Sequence, residues 1–229
     1  MDDPIRYAVT VFTGFLQHQG SPGAGMVQIR RDAELLTESR LGRDVRVSLH
    51  NWKACENQIA ESIWRDRPVN EYRKVKGLGD IRMLPSKQQH IVIGYSYGGD
   101  RAVKFCRELG RRGGCVVQEL LLCDAVRHWD YLPGVAAATG AGNLYIPSVV
   151  KHCLYYTQRN RRWLGEGFFQ PAGHNIIAED PDETDMEGPV VKERTHSYMD
   201  NDQAFRMTVM EKTDRMMRQA SMDDKERMT

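Results

Sequence analysis

The chain has 229 residues, 41% of them hydrophobic, and a formal net charge of +1. That is enough apolar material for a sizeable core and too little charge imbalance to argue for nucleic acid or an anionic membrane as a partner. No apolar run approaches the ~20 residues of a membrane-spanning helix. The opening Met1-Asp2-Asp3-Pro4 has no apolar h-region, so no secretory signal is predicted. Five cysteines (Cys55, Cys106, Cys115, Cys123, Cys153) are odd in number and form no Cys-x-x-Cys pair. They predict free thiols, most of them buried, in a reducing and therefore cytoplasmic setting.

The segments alternate between two periodicities. "RYAVTVF" (6–12) predicts a strand. Residues 23–41 carry Met26, Ile29, Ala33 and Leu36 at helical spacing and stop at Gly42. "DVRVSLH" (44–50) alternates Val45, Val47 and Leu49 as a strand does. Asn51 is the predicted cap of a helix with Cys55, Ile59 and Ile63 inward, which must end before Pro68. Residues 67–89 are polar, with Gly77, Gly79 and Pro85, and predict a loop insertion. "HIVIGY" predicts the next strand, followed by a helix over 98–111 with Ala102, Val103, Cys106 and Leu109 inward, punctuated by Gly113-Gly114.

"CVVQELLLC" (115–123) predicts another strand. Residues 127–148, rich in Gly and Ala, predict a small irregular cap. "SVVKHCLYYT" (148–157) predicts a further strand. Residues 165–188 look like loop, with an acidic stretch "EDPDETDMEG". "PVVKERT" predicts a short strand, and residues 200–220 a last helix with Phe205, Val209, Met216 and Met217 inward. The tail "MDDKERMT" is expected to fray. Strands alternating with helices imply one α/β domain over residues 1–229, with a mostly parallel sheet covered on both faces. Near-continuous apolar runs such as "IVIGY" and "LLLC" suit strands buried from both sides. In such sheets, sites form at the carboxyl ends of the strands.

That rule singles out "IVIGYSYGGD" (91–100). Gly94-x-Ser96-x-Gly98 joins an apolar strand to an amphipathic helix. There a sharp turn holds the serine in a strained conformation, exposes its hydroxyl at the strand end and sets helix amides beside it. The bland alternative is a glycine-rich turn with a capping serine. Serine is a poor nucleophile near neutral pH and needs a base. His128, His152, His174 and His196 follow it in the chain. His196 lies just beyond a strand and just before the final helix.

With these features the chain resembles the α/β-hydrolase superfamily, in its lipase, esterase and thioesterase branch. The carriers are "IVIGYSYGGD", "VFTGF" after the first strand, an acid after a later strand and a histidine before the last helix. The resemblance implies the α/β-hydrolase fold and the order Ser, Asp or Glu, His. It assigns Ser96 as nucleophile and His196 as base, with His174 second. Asp124, directly after "ELLLC", is the implied acid; Asp180, Asp182 and Glu166 stay open, because the strand ending "YYTQRNRRW" brings no carboxylate to the usual place. The implied oxyanion donors are the backbone amides of Phe15 and Tyr97.

The expected activity is hydrolysis of a carboxylic ester, with no metal or organic cofactor, on a small acyl substrate. A thioesterase or acyltransferase acting on carrier-bound acyl groups remains open, as does a non-catalytic binding module with the same fold. "RNRRW" (159–163) reads as a solvated basic face, and the Met-rich final segment as helix packing. Gly77-Leu78-Gly79 and "GAGNLY" lack the strand–helix context of a dinucleotide site.

Overall fold

The computed structural model describes residues 5–14, 25–38, 45–67, 71–74, 81–84, 87–126, 143–158, 176–193 and 196–228, with 71–74, 81–84, 196, 197, 220, 221 and 223–228 given by backbone path alone. In chain order the elements are β1 (Tyr7–Phe12), α1 (Gly25–Glu38), β2 (Val45–His50), α2 (Glu56–Arg65), β3 (Glu71–Lys74), β4 (Ile81–Leu84), β5 (Gln88–Tyr95) and α3 (Tyr97–Arg112). They continue with β6 (Cys115–Cys123), β7 (Leu144–Ile146), β8 (Val150–Gln158), β9 (Ile176–Ala178), β10 (Asp185–Lys192), a 3-10 turn (His196–Asn201) and α4 (Gln203–Met228). Six strands form one sheet in the order β10-β8-β6-β5-β1-β2, and every neighbouring pair is parallel.

The strand sequences explain the layers. Ile91, Val92 and Ile93 are successive residues of β5, so they point alternately to opposite faces, yet all are fully buried. Ile91 and Ile93 pack with Met26 and Ile29 of α1 and Phe205 and Val209 of α4. Val92 packs on the other face with Ala60 and Ile63 of α2 and Phe105 and Leu109 of α3. Each such side chain removed from water stabilises the fold by about 1.5–3 kcal/mol. The result is an α/β architecture with helices on both faces of a parallel sheet. Among the described residues no helix is long and apolar enough to cross a membrane.

Several local expectations are corrected. Asn51 does not cap α2. Its side-chain oxygen accepts the Lys53 amide at 2.9 Å, a turn that short Asn side chains favour, and Cys55 takes the N-cap position. Cys55 is exposed, whereas the other four cysteines are buried, and all five are free. The stretch 67–89 is not all loop: β3 and β4 pair antiparallel inside it, and β5 starts at its end. Their sequences, "EYRK" and "IRML", lack the β-branched alternation that marks a strand.

Within the expected cap, 127–142 lie outside the described residues, and Leu144–Ile146 pairs as β7 with β9. The acidic stretch is not all loop either. It closes a turn in which the Thr184 amide bonds the Asp180 carbonyl at 3.1 Å, and then becomes β10 at Asp185. As an edge strand with one side open, β10 tolerates those carboxylates. The tail continues α4 to Met228 instead of fraying.

Candidate active site

In the strand order, the chain steps from β1 to β2 on one side and from β5 through β6 and β8 to β10 on the other. The carboxyl ends of β1 and β5 therefore flank the switch point, where open parallel sheets form their crevice. Thr13 and Gly14 follow β1, and Ser96 follows β5.

Ser96 has φ 54° and ψ −128° and sits between the last residue of β5 and the first of α3. A non-glycine residue at that φ is strained, typically by about 1–3 kcal/mol, and persists where its surroundings fix it. They do so here. The Ser96 amide donates to the Cys123 carbonyl at 3.1 Å, and the Ser96 carbonyl accepts the Gly99 and Val126 amides, both at 2.9 Å. The flanking glycines are sterically required. A Cβ on Gly94 would lie 2.7 Å from the Gly99 Cα, and one on Gly98 only 2.4 Å from the Phe12 carbonyl oxygen. The turn thus jams α3 against the end of β1, which only hydrogen at both positions permits.

Gly14 meets the serine from the β1 side: a Cβ there would stand 2.8 Å from the Ser96 Cβ. The expected exposure of the serine is not found. Ser96 is 2% exposed, because neighbouring strand ends close around the turn. Tyr97 opens α3, so its amide is among the first of the helix, which have no acceptor within the helix. Its ring lies 5.7 Å from that of Trp52, beyond the end of β2. Phe15 lies outside the described residues.

Asp124 directly follows β6, beside the β5 end, since Tyr95 and Cys123 are register partners. It too has positive φ, 46°, which Asp tolerates better than most residues. Its amide bonds the Tyr156 carbonyl at 2.8 Å, and the residue is buried. The backbone of His196 opens the 3-10 turn after β10; its side chain lies outside the described residues. Met199, three residues on, is fully buried, and its carbonyl accepts the Cys123 thiol at 3.3 Å. At ~2 Å rise per residue, the His196 backbone stands about 6 Å along the turn from that contact with the β6 end.

The other candidates separate by topology. Asp180 and Asp182 lie in the turn entering β10, at the amino ends of the strands, away from Ser96. His152 lies near the start of β8, also away from it, and its Nδ1 bonds Glu119 Oε2 at 2.5 Å. His128, His174, Glu166 and residues 159–163 lie outside the described residues.

No family model and no curated protein sequence matches the chain. Solved structures that align with it include a protein from Agrobacterium vitis S4 provisionally described as a hydrolase, at 13% identity and a TM-score of 0.36, covering 89% of this chain and 88% of that one. Another is RedJ, solved with a PEG molecule bound in its active site, at 11% identity and a TM-score of 0.40, covering 92% and 94%. Likeness at this level leaves the chemistry to be read from the strand ends themselves.

Four groups at this end of the sheet carried no functional signal in the sequence. Burial, with the negative charges of Asp200 and Asp124, pushes the Tyr95 phenol well above its ordinary pKa and keeps it neutral. Burial and the same carboxylates do likewise for the Cys123 thiol. His50, at the carboxyl end of β2, is lowered to about 4 by burial and then by Arg46, so it is a neutral imidazole near pH 7. It precedes Ser96 in the chain, and only the sheet order brings it to the same edge. Asp200 is 1% exposed; its only sequence signal was a place in "MDND" ahead of a helix.

Proposed function

We propose that the protein is a serine hydrolase that cleaves carboxylic esters through an acyl-enzyme intermediate. The observation that carries this reading is the strained Ser96, held at positive φ between two glycines that cannot accept a Cβ, at the switch point of a parallel sheet. A turn that merely capped α3 would not need that strain, and the Ser96 side chain makes no capping hydrogen bond.

In the proposed cycle the Ser96 hydroxyl attacks the acyl carbon as His196 takes its proton. The tetrahedral oxyanion is held by the amides of Tyr97 and Phe15; one such donor is typically worth about 3 kcal/mol. His196 then gives the proton to the departing alcohol, and water, deprotonated in turn by His196, releases the acid. Asp124 orients the imidazole and stabilises its charged form. Burial of Ser96 gives this charge development a low-dielectric setting, where such hydrogen bonds strengthen.

A small fluorophosphonate is the suitable probe for so enclosed a serine. It is expected to label Ser96, with labelling lost in Ser96→Ala and falling by about 10⁴-fold or more in His196→Ala. Labelling should rise with pH through a histidine titration near ~6.5. A folded protein, verified by near-UV circular dichroism, that takes no label overturns the proposal. Aryl esters and acyl-CoA thioesters of graded length then separate ester from thioester preference.

A further inference from the structure

The turn that bears His196 is fixed by an acid on the same turn. The Asp200 carboxylate accepts the Gly25 amide at 2.8 Å through Oδ2, a buried bond between residues 175 positions apart. Gly25 is the first residue of α1, and α1 has no acidic residue of its own in its first turn. Asp200 supplies that anion from across the chain, satisfying one of the amides a helix N-terminus leaves over and complementing its dipole.

The backbone joins in the same contact. A Cβ on Gly25 would fall 1.9 Å from the Asp200 carbonyl oxygen and 2.3 Å from its carbon, so the turn packs where any other residue would put a side chain. The same turn receives the Cys123 thiol at the Met199 carbonyl, one residue before Asp124. At its exit the Asp202 amide bonds the Met199 carbonyl at 3.0 Å, and Asp202 Oδ1 accepts the Phe205 amide at 3.0 Å, starting α4.

We propose that Asp200 is a positioning residue of the proposed active site, clamping the His196 turn to the start of α1 and so fixing where the base stands relative to Ser96. The inference rests on the serine-hydrolase reading.

The test compares Asp200→Ala, Asp200→Asn, Gly25→Ala and His196→Ala, by kcat and KM on an aryl ester, by the Ser96 labelling rate, and by the folded fraction at the assay temperature. Asp200→Ala is expected to lose about 10²-fold in kcat per folded molecule with KM within about threefold, as misplacement of a reacting group by an ångström does. Asp200→Asn keeps an oxygen for the Gly25 amide and should stay within about tenfold of wild type. Gly25→Ala drives its Cβ into the Asp200 carbonyl, so it should displace the turn and lose at least as much kcat per folded molecule as Asp200→Ala, with a lower folded fraction. Should Asp200→Ala fail to fold, Asp200→Glu, with its acceptor displaced by one methylene, replaces it with the same expected kcat loss.

A purely structural role would lower the unfolding midpoint and leave kcat per folded molecule unchanged; that result, with His196→Ala inactive, overturns the inference alone. Full labelling in His196→Ala overturns the hydrolase reading and the inference with it.

Discussion

The two ends of the sheet are built in opposite ways. At the amino ends, His152 lies between Glu119 at its Nδ1 and Glu187, 3.2 Å from its Nε2. Lys212 stands 3.4 Å from Glu119, and Arg215 also reaches that carboxylate. Glu119, His152, Lys212 and Arg215 line a depression of about 510 Å³. Charge there is compensated pairwise, and no non-glycine residue of those strands has positive φ. At the carboxyl ends, Ser96 and Asp124 are the two described non-glycine residues with positive φ, and glycines jam the backbones together. His152 precedes the end of its strand by six residues, roughly 20 Å at ~3.3 Å per residue, so it cannot serve Ser96. A histidine–carboxylate contact satisfies polar groups by hydrogen bonding and needs no backbone strain. Backbone strain with enforced glycines is what a fold tolerates when a side chain must stand in one place.

That contrast can be broken by substitution. The largest expected effect is at the elbow. Gly98→Ala puts a methyl group into the Phe12 carbonyl and should destabilise the protein by about 3 kcal/mol or more, read as a shift in the urea midpoint, with Ser96 labelling lost. Labelling and stability unchanged in that variant would mean the turn is not jammed. Next comes the amino end: Glu119→Gln leaves the largely covered Lys212 without its anion and should cost about 2 kcal/mol, moderated because Arg215 is mostly exposed. Labelling of the folded Glu119→Gln protein should match wild type, which separates the two ends.

The pH dependence gives a smaller, graded effect. His90, fully buried near the start of β5, accepts protons only near 3, because burial disfavours its charged form. Its Nε2 faces Gln88 Oε1 at 3.0 Å and so carries the proton of the neutral ring. The unfolded chain takes up a proton near 6.5 that the folded protein refuses. This contribution to stability is complete above about pH 6.5 and is lost as pH falls toward 3, by up to about 1.4 kcal/mol per unit. His50, titrating near 4, adds a second such slope from the other end of the sheet. His90→Asn should flatten the fall in urea midpoint between about pH 7 and pH 5, and an unchanged slope would contradict it. The smallest effect on labelling is expected at Gly113, which is at positive φ (69°) with nothing within 4 Å of a Cβ. Gly113→Ala should cost about 1–3 kcal/mol through backbone strain alone and leave labelling intact, which separates a glycine required by its dihedral angles from one required by close packing, as at Gly98.

Much of the core was legible beforehand. The buried residues of β1, β5, β6, α3 and α4 were readable because a strand repeats every two residues and a helix every 3.6, so each face announces itself locally. β3, β4 and β9 were not, because three or four residues are too few to carry a period. Asn51 was misjudged as a helix cap because one side chain can close a turn or cap a helix, and the following backbone decides which.

Sequence alone determined the alternation of strands and helices, the apolar faces that bury them, and the requirement for small residues around Ser96, since all are properties of a few consecutive residues. Tertiary structure alone decided which strand ends meet: that Asp180, Asp182 and His152 fall at the wrong end, that Ser96 is enclosed, and that Asp200 reaches Gly25 across 175 positions. The physical reason is that strand order and packing fix contacts between segments far apart in the chain, and no local periodicity encodes those distances.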